Sequence, residues 1–139
     1  MEIPETVARW HAIAGARDPA GLDDLLADDV FFRSPAVHTP QLGKALTTAY
    51  LSAAVVVLGP TLRYVREWYD ERSAVLEFEA ELDGLSVHGI DLMVWGDDAR
   101  LIEFTVMVRP MKGLQKLIEL MAAQLAAQFE DQSGAQQSP

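Results

Sequence analysis

The sequence predicts an α+β domain in which a curved antiparallel sheet wraps around helices and leaves a conical pocket. Two observations carry this. The hydrophobic period is 3.6 residues up to about residue 60 and 2 residues from 62 to 108, so helices come first and a run of strands follows. Turn-forming segments at 70–72, 83–85 and 96–98 divide that run into four strands close enough in sequence to pair as hairpins. A chain of 139 residues makes one domain, placed at 1–130, because two halves would each bury too little surface.

The elements follow in order. Val7, Trp10, His11 and Ala14 recur at helical spacing and predict a helix over about 5–15. Asp18 then caps a short helix with Pro19 at its first position; Leu22, Leu25 and Leu26 face inward and Asp23, Asp24 and Asp28 outward. Residues 30–34 are β-prone and stop at Pro35. After a loop over 36–42, a third helix spans 43–58 with Leu46, Ala49, Tyr50, Ala53 and Val57 as its apolar stripe, ended by Gly59-Pro60. Strands are expected at 62–69, 74–82, 86–95 and 101–108. A closing helix over 111–129 presents Leu114, Leu117, Ile118, Met121 and Leu125 on one face. The polar residues 131–139 are expected to form a flexible tail.

Composition narrows the function. Lysine and arginine total 11 against 21 aspartates and glutamates, a net charge of −10. Nucleic acid is not an expected partner, since a phosphate backbone needs clustered cations. The chain has no cysteine, hence no disulfide framework and no thiolate metal site. With no apolar leader at the N-terminus a cytoplasmic protein is expected, and the longest apolar stretch, 45–58, is too short to span a membrane. No histidine–acid cluster has ligand spacing, no glycines form a phosphate cradle and no serine sits in a nucleophile elbow. Neither a metal nor a cofactor is therefore expected.

One residue breaks the apolar pattern of the strands. Asp91 is a lone acid within residues 87–95, and a buried carboxylate is costly unless it is paired or protonated. In one reading it faces the pocket with a raised pKa and acts as a proton donor; in the other it is satisfied by a neighbour and is structural. Strand alternation puts Val87, Gly89, Met93 and Trp95 on its face and His88, Ile90, Leu92 and Val94 on the other. Glu77, Glu79 and Glu81 alternate with apolar residues and read as a solvated stripe. Trp10, Phe32, Ser34, Met93, Trp95, Phe104 and Val106 are the candidate ligand contacts. His38, in the loop after the first strand, is the candidate titratable group at the pocket rim. The apolar face bearing Ile90, Leu92 and Val94, with His88 at its edge, predicts a homodimer through the outside of the sheet.

This order of elements resembles the NTF2-like superfamily, the cone-fold group that includes SnoaL-like cyclases, ketosteroid isomerases, scytalone dehydratases and limonene epoxide hydrolases. The resemblance is carried by Arg9-Trp10-His11 before Arg17-Asp18, by Leu26-Ala27-Asp28-Asp29-Val30-Phe31-Phe32-Arg33-Ser34-Pro35, by Gly89-Ile90-Asp91-Leu92 and by Arg100-Leu101-Ile102-Glu103-Phe104. It covers roughly residues 5–110 and implies the cone fold without fixing a reaction. The isomerase pattern implies a tyrosine on the first helix, a base aspartate before a proline at the end of the first strand and a protonated aspartate on a later strand. Asp91 matches the last. Trp10 stands at the tyrosine position and Ser34 at the base position, which removes the proton acceptor of that mechanism. The epoxide hydrolase pattern implies an arginine between two acids, for which Arg33 or Arg66 is available but no second inward acid.

The leading expectation is a pocket that binds a small, mainly hydrophobic organic molecule with Asp91 at depth. The alternatives are an isomerase, dehydratase, cyclase or epoxide hydrolase using Asp91 as general acid, and a non-catalytic dimeric interaction module. The first two require open space bounded by Trp10, Phe32, Ser34, Asp91 and Phe104, with about 300 Å³ as the lower end for ligand sites.

Overall fold

A computed structural model describes the backbone of residues 2–137 and the side chains of 2–130; the expected tail over 131–139 lies outside the described side chains. The elements are α1 (Glu5–Ala16), a 3₁₀ turn (Pro19–Gly21), α2 (Leu22–Leu25), β1 (Leu26–Arg33), β2 (Gln41–Leu42), α3 (Lys44–Leu58), β3 (Arg63–Tyr69), β4 (Ser73–Leu82), β5 (Leu85–Trp95), β6 (Leu101–Arg109) and α4 (Met111–Gln137). Six strands form one curved, unclosed sheet in the order β2-β1-β6-β5-β4-β3. All pairs are antiparallel except β1 with β6, which run parallel because the chain crosses the domain between them. No helix among the described residues is long and apolar enough to cross a membrane.

Local chemistry explains most boundaries. Asp18 caps the turn that follows it, its carboxylate accepting from the Ala20 N–H at 3.0 Å, with Pro19 in first position. Asp83 and Gly84 both take positive φ, 50° and 80°, which is the two-residue hairpin geometry that matches strand twist. Along β5, residues 87, 89, 91, 93 and 95 are buried and the residues between them half-buried, as strand alternation requires.

Three expectations need correction. Leu26 is not the end of a helix; it opens β1 and is fully buried beside Leu101. Residues 41–42 are not loop but an edge strand against Phe31 and Phe32. The apolar stripe of α3 is rotated: Leu51, Ala53, Val55 and Leu58 are buried, whereas Leu46 is exposed. Residues 49–58 of that helix are apolar almost all round, so the sequence pattern does not determine its phase.

The core lies between the inner sheet face and the helices, with Val7, Leu22, Leu25, Leu51, Leu76, Phe78, Phe104 and Leu101 fully enclosed. Gly89 allows the sheet to close over this layer, because a Cβ there would lie 2.4 Å from the Met107 carbonyl and 2.7 Å from the Phe78 ring. Gly89→Ala therefore lowers the unfolding free energy by about 1–3 kcal/mol, the usual cost of overpacking. Urea denaturation checks this, and an unchanged midpoint would refute the close approach.

Candidate functional site

A single bulge positions the polar groups of the interior. On an unbroken strand, Tyr64 and Glu67 would face opposite sides. In β3 the register against β4 shifts between Tyr64 and Arg66, so Val65 is extra and Tyr64, Glu67 and Tyr69 all face the helices. Two consecutive residues of α1 meet them. Trp10 Nε1 donates to the Tyr64 hydroxyl at 2.8 Å, and His11 Nε2 lies 2.5 Å from Glu67. Tyr69 donates to the other oxygen of Glu67. The His11 ring also packs edge-on against Tyr64, with centroids 4.9 Å apart.

Tyr64 in turn donates to Asp91 Oδ2 at 2.5 Å. Because an indole N–H can only donate, the Tyr64 oxygen accepts from Trp10 and its one hydrogen goes to Asp91. With Asp91 ionised the chain therefore runs from Trp10 through Tyr64 to Asp91 Oδ2, and Oδ1 is the oxygen not bonded to Tyr64. Asp91 is 6% exposed, flanked by Leu76 on β4 and Val106 on β6. That apolar setting raises its pKa from 3.8 to about 7; the Tyr64 and Trp10 hydrogen bonds pull the other way and only partly offset the burial. Burial and the neighbouring Asp91 charge together hold the Tyr64 phenol well above its ordinary value.

Trp10, Tyr64 and Asp91 border a cavity of about 200 Å³ that is also lined by residues of the loop after β1, of α3 and of α4. Of its lining, Trp10, Phe32, Phe78 and Phe104 are buried, and Ser34, Tyr50, Met121 and Leu125 are half-buried. The volume is below the approximately 300 Å³ expected for drug-sized ligands. It exceeds the roughly 150 Å³ that is enough to hold benzene in an engineered apolar cavity. The enclosed space thus suits one or two rings.

The sequence-predicted residues divide cleanly. Asp91, Trp10, Phe32, Ser34, Phe104 and Val106 all border the cavity. Met93 and Trp95 do not: they share the inner face of β5 but are sealed in the packed core beyond the cavity. His38 does not reach it either. It lies exposed in the loop after β1 and borders an outer groove with Arg33 and Thr105, because residues 34–37 form the wall between that groove and the interior. Arg66 and Arg33 point to the outer face, paired with Glu77 and Glu103, so the arginine-between-acids arrangement is not assembled. Among the described residues no three histidines, aspartates or glutamates cluster to hold a metal ion.

Tyr64 was not singled out from the sequence. Its side-chain direction depends on the bulge, and no turn residue marks that bulge. Glu77 also departs from expectation. Rather than joining a solvated stripe, it is buried on the outer face, accepting from Arg66 at 2.5 and 3.0 Å and lying 2.7 Å from His88 Nε2. Those partners hold its pKa down to about 2.

Comparison with known proteins adds the following. No family model and no curated protein sequence matches the chain. Among solved structures it is similar to a steroid delta-isomerase from Pseudomonas aeruginosa, with 40% identity over 90% of this chain and 92% of that one and a TM-score of 0.85. It is also similar to an uncharacterised bacterial protein with a cystatin-like fold from Silicibacter pomeroyi, with 28% identity over 86% and 84% of the chains and a TM-score of 0.80. The epoxide hydrolase/cyclase-like enzyme SalBIII, of pyran ring formation in salinomycin, shares the fold at 14% identity and a TM-score of 0.64, covering 78% of this chain and 90% of that one.

The Asp91 shift has a definite sign for stability. Between pH 4 and 7 the folded state holds a proton that the unfolded state has released, so stability falls as pH rises through that window. Relative to Asp91→Asn, the wild type should lose roughly 4 kcal/mol across it, about three pKa units. Tyr64→Phe removes a bond that favours the ionised form and extends the loss above pH 7. Urea denaturation of the three proteins at a series of pH values reads both effects, and parallel curves for wild type and Asp91→Asn would contradict them.

Proposed function

Because this chain belongs to the NTF2-like superfamily, we propose that its cavity binds a small, mainly hydrophobic organic molecule of one or two rings, with the ligand's one polar group on Asp91. The carrying observation is the contrast within the cavity: an almost wholly apolar lining and one buried carboxyl in it, with its Oδ2 held by Tyr64. Ligand sites have this character, with a few placed polar groups in an apolar concavity. Native mass spectrometry of the purified protein, followed by titration with small aromatic compounds, tests the reading. Wild type should bind in a 1:1 ratio, and Asp91→Ala should weaken binding at least tenfold; an equal affinity in both would overturn it.

A second reading is an isomerase-type enzyme, favoured by the 40% identical steroid delta-isomerase and by an acid that titrates near neutrality. Ser34 borders the cavity but is not a base, and His38 lies outside it. Asp91 would then have to take a proton from carbon and return it elsewhere on the same molecule, as one carboxylate acting twice. A four-ring steroid would protrude from the enclosed volume. Hydrogen–deuterium exchange at the acidic carbon of a bound small cyclic ketone, present in wild type and absent in Asp91→Asn, would support it.

Assembly as a homodimer through the outer sheet face is part of the same proposal. Ile90, Leu92 and Val94 are half-buried there, and Trp68 and Met107 are 52% and 53% exposed. Arg66, Glu77, His88 and Arg109 bond to one another across four strands, so this face offers few unpaired charges at its centre. Leu92→Arg should convert a dimer to a monomer in analytical ultracentrifugation; a wild type that sediments as a monomer would count against the interface.

A further inference from the structure

The lining of the cavity is asymmetric in charge. Apart from Asp91 its charged residues are none: no lysine, arginine or histidine borders it among the described residues. Around Asp91 stand four aromatic rings. Phe78 pairs across the sheet with Gly89, two residues before Asp91, and Phe104 pairs with Met93, two residues after it. Both are therefore diagonal neighbours of the carboxyl on the inner face. Trp10 and Tyr64 cover it from α1 and β3, and Trp10 packs edge-on against Phe104 at 4.9 Å. The face of an aromatic ring carries negative potential, so a carboxylate among rings is a site for a desolvated cation.

We propose that the polar group of the ligand is an ammonium: the cavity takes a small lipophilic amine, bound as its cation with N–H groups on Asp91 Oδ1 and its charge among the rings of Trp10, Tyr64, Phe78 and Phe104. This rests on the reading of the cavity as a ligand site and narrows it to one chemical class. Two features favour a cation over a neutral carbonyl group. Tyr64 donates to Oδ2 with the Trp10 N–H beside it, and an ammonium adds a donor at Oδ1. The net charge of −10 draws cations toward the protein.

Where Asp91 is protonated, binding the ammonium releases that proton to solvent and leaves a carboxylate–ammonium pair; where it is already ionised, no proton moves. Among the described residues no other charged side chain lines the cavity around Asp91. Leu76 and Phe78 on β4, Phe104 and Val106 on β6, Leu51 and Val55 on α3 and Leu117 on α4 are all apolar. Tyr64 bonds to it directly, and the mutually paired His11 and Glu67 lie beside Tyr64.

The test uses three matched probes on the full-length protein: 1-aminoindane, 1-indanol and 1-indanone, titrated calorimetrically at pH 5 to 8.5. The amine should bind at least tenfold more tightly than the ketone at pH 8 and weaken about tenfold for each unit below pH 6, as one proton is displaced per molecule bound. Asp91→Asn should weaken amine binding about a hundredfold or more and ketone binding less than tenfold, with circular dichroism and the melting midpoint reporting its fold. Phe104→Leu should weaken the amine more than the ketone. If the ketone binds as tightly as the amine at pH 8, or if amine affinity rises as pH falls, the amine proposal is wrong and the ligand cavity stands. If no probe binds at any pH, both fall together.

Discussion

The structure depends on keeping one carboxyl in an apolar interior. Asp91 sits between Leu76 and Val106, and burial there favours the neutral acid. The Tyr64 hydroxyl keeps the charged form within reach, and Trp10 orients that hydroxyl from the helix side. Neither works without the other: a phenol facing Asp91 without Trp10 could turn its hydrogen elsewhere, and Trp10 alone offers one fixed donor. The bulge at Val65 is the backbone feature that brings these groups to one face.

Two acids on neighbouring strands show how strongly the face decides the chemistry. Asp91 on β5 points inward and is pushed up to about 7 by burial. Glu77 on β4 points outward, equally hidden from solvent, and is held down to about 2 because Arg66 and His88 bond to it. The first is an acid without a cation and the second an acid held by a guanidinium and an imidazole ring. Only the first remains able to respond to a ligand near neutral pH. The second, with its lateral partners, makes an outer surface whose charges are already used within the chain.

Much of this was legible from the sequence, for identifiable reasons. The change of period placed the four long strands, and the alternation along residues 87–95 put Asp91 on one face and Ile90, Leu92 and Val94 on the other; that the first of these faces is the inner one is read from the structure. Trp10, Phe32, Ser34, Phe104 and Val106 follow from the same alternation and from helix spacing, and each borders the cavity. What was not legible depends on three-dimensional closure. The face rule holds along β5, but it does not say where packing ends and open space begins, so Met93 and Trp95 were expected as contacts and are core. A loop histidine such as His38 can lie on either side of its own loop. Tyr64 and Glu67 are three positions apart, which on a regular strand means opposite faces, and only the inserted Val65 brings them to the same side. In α3, an almost entirely apolar surface left the buried stripe free to rotate.

The family relationship fixes the scaffold and leaves the chemistry to individual residues. In this chain the polar end of the cavity is an indole, a phenol and a carboxyl in one directed chain, contributed by α1, β3 and β5. The arrangement has one titrating group near neutrality and rings on several sides. It gives the protein a means to recognise a polar atom on an otherwise apolar molecule, and its charge state is the variable that any function must use.

The most direct measurement is a ¹³C NMR titration of the Asp91 side-chain carboxyl in the ligand-free protein, assigned by its loss in Asp91→Asn. A midpoint near 7 is the predicted result. A midpoint near 4, the value of a carboxyl in water, would show that the group is solvated and that the cavity has no buried proton-handling centre.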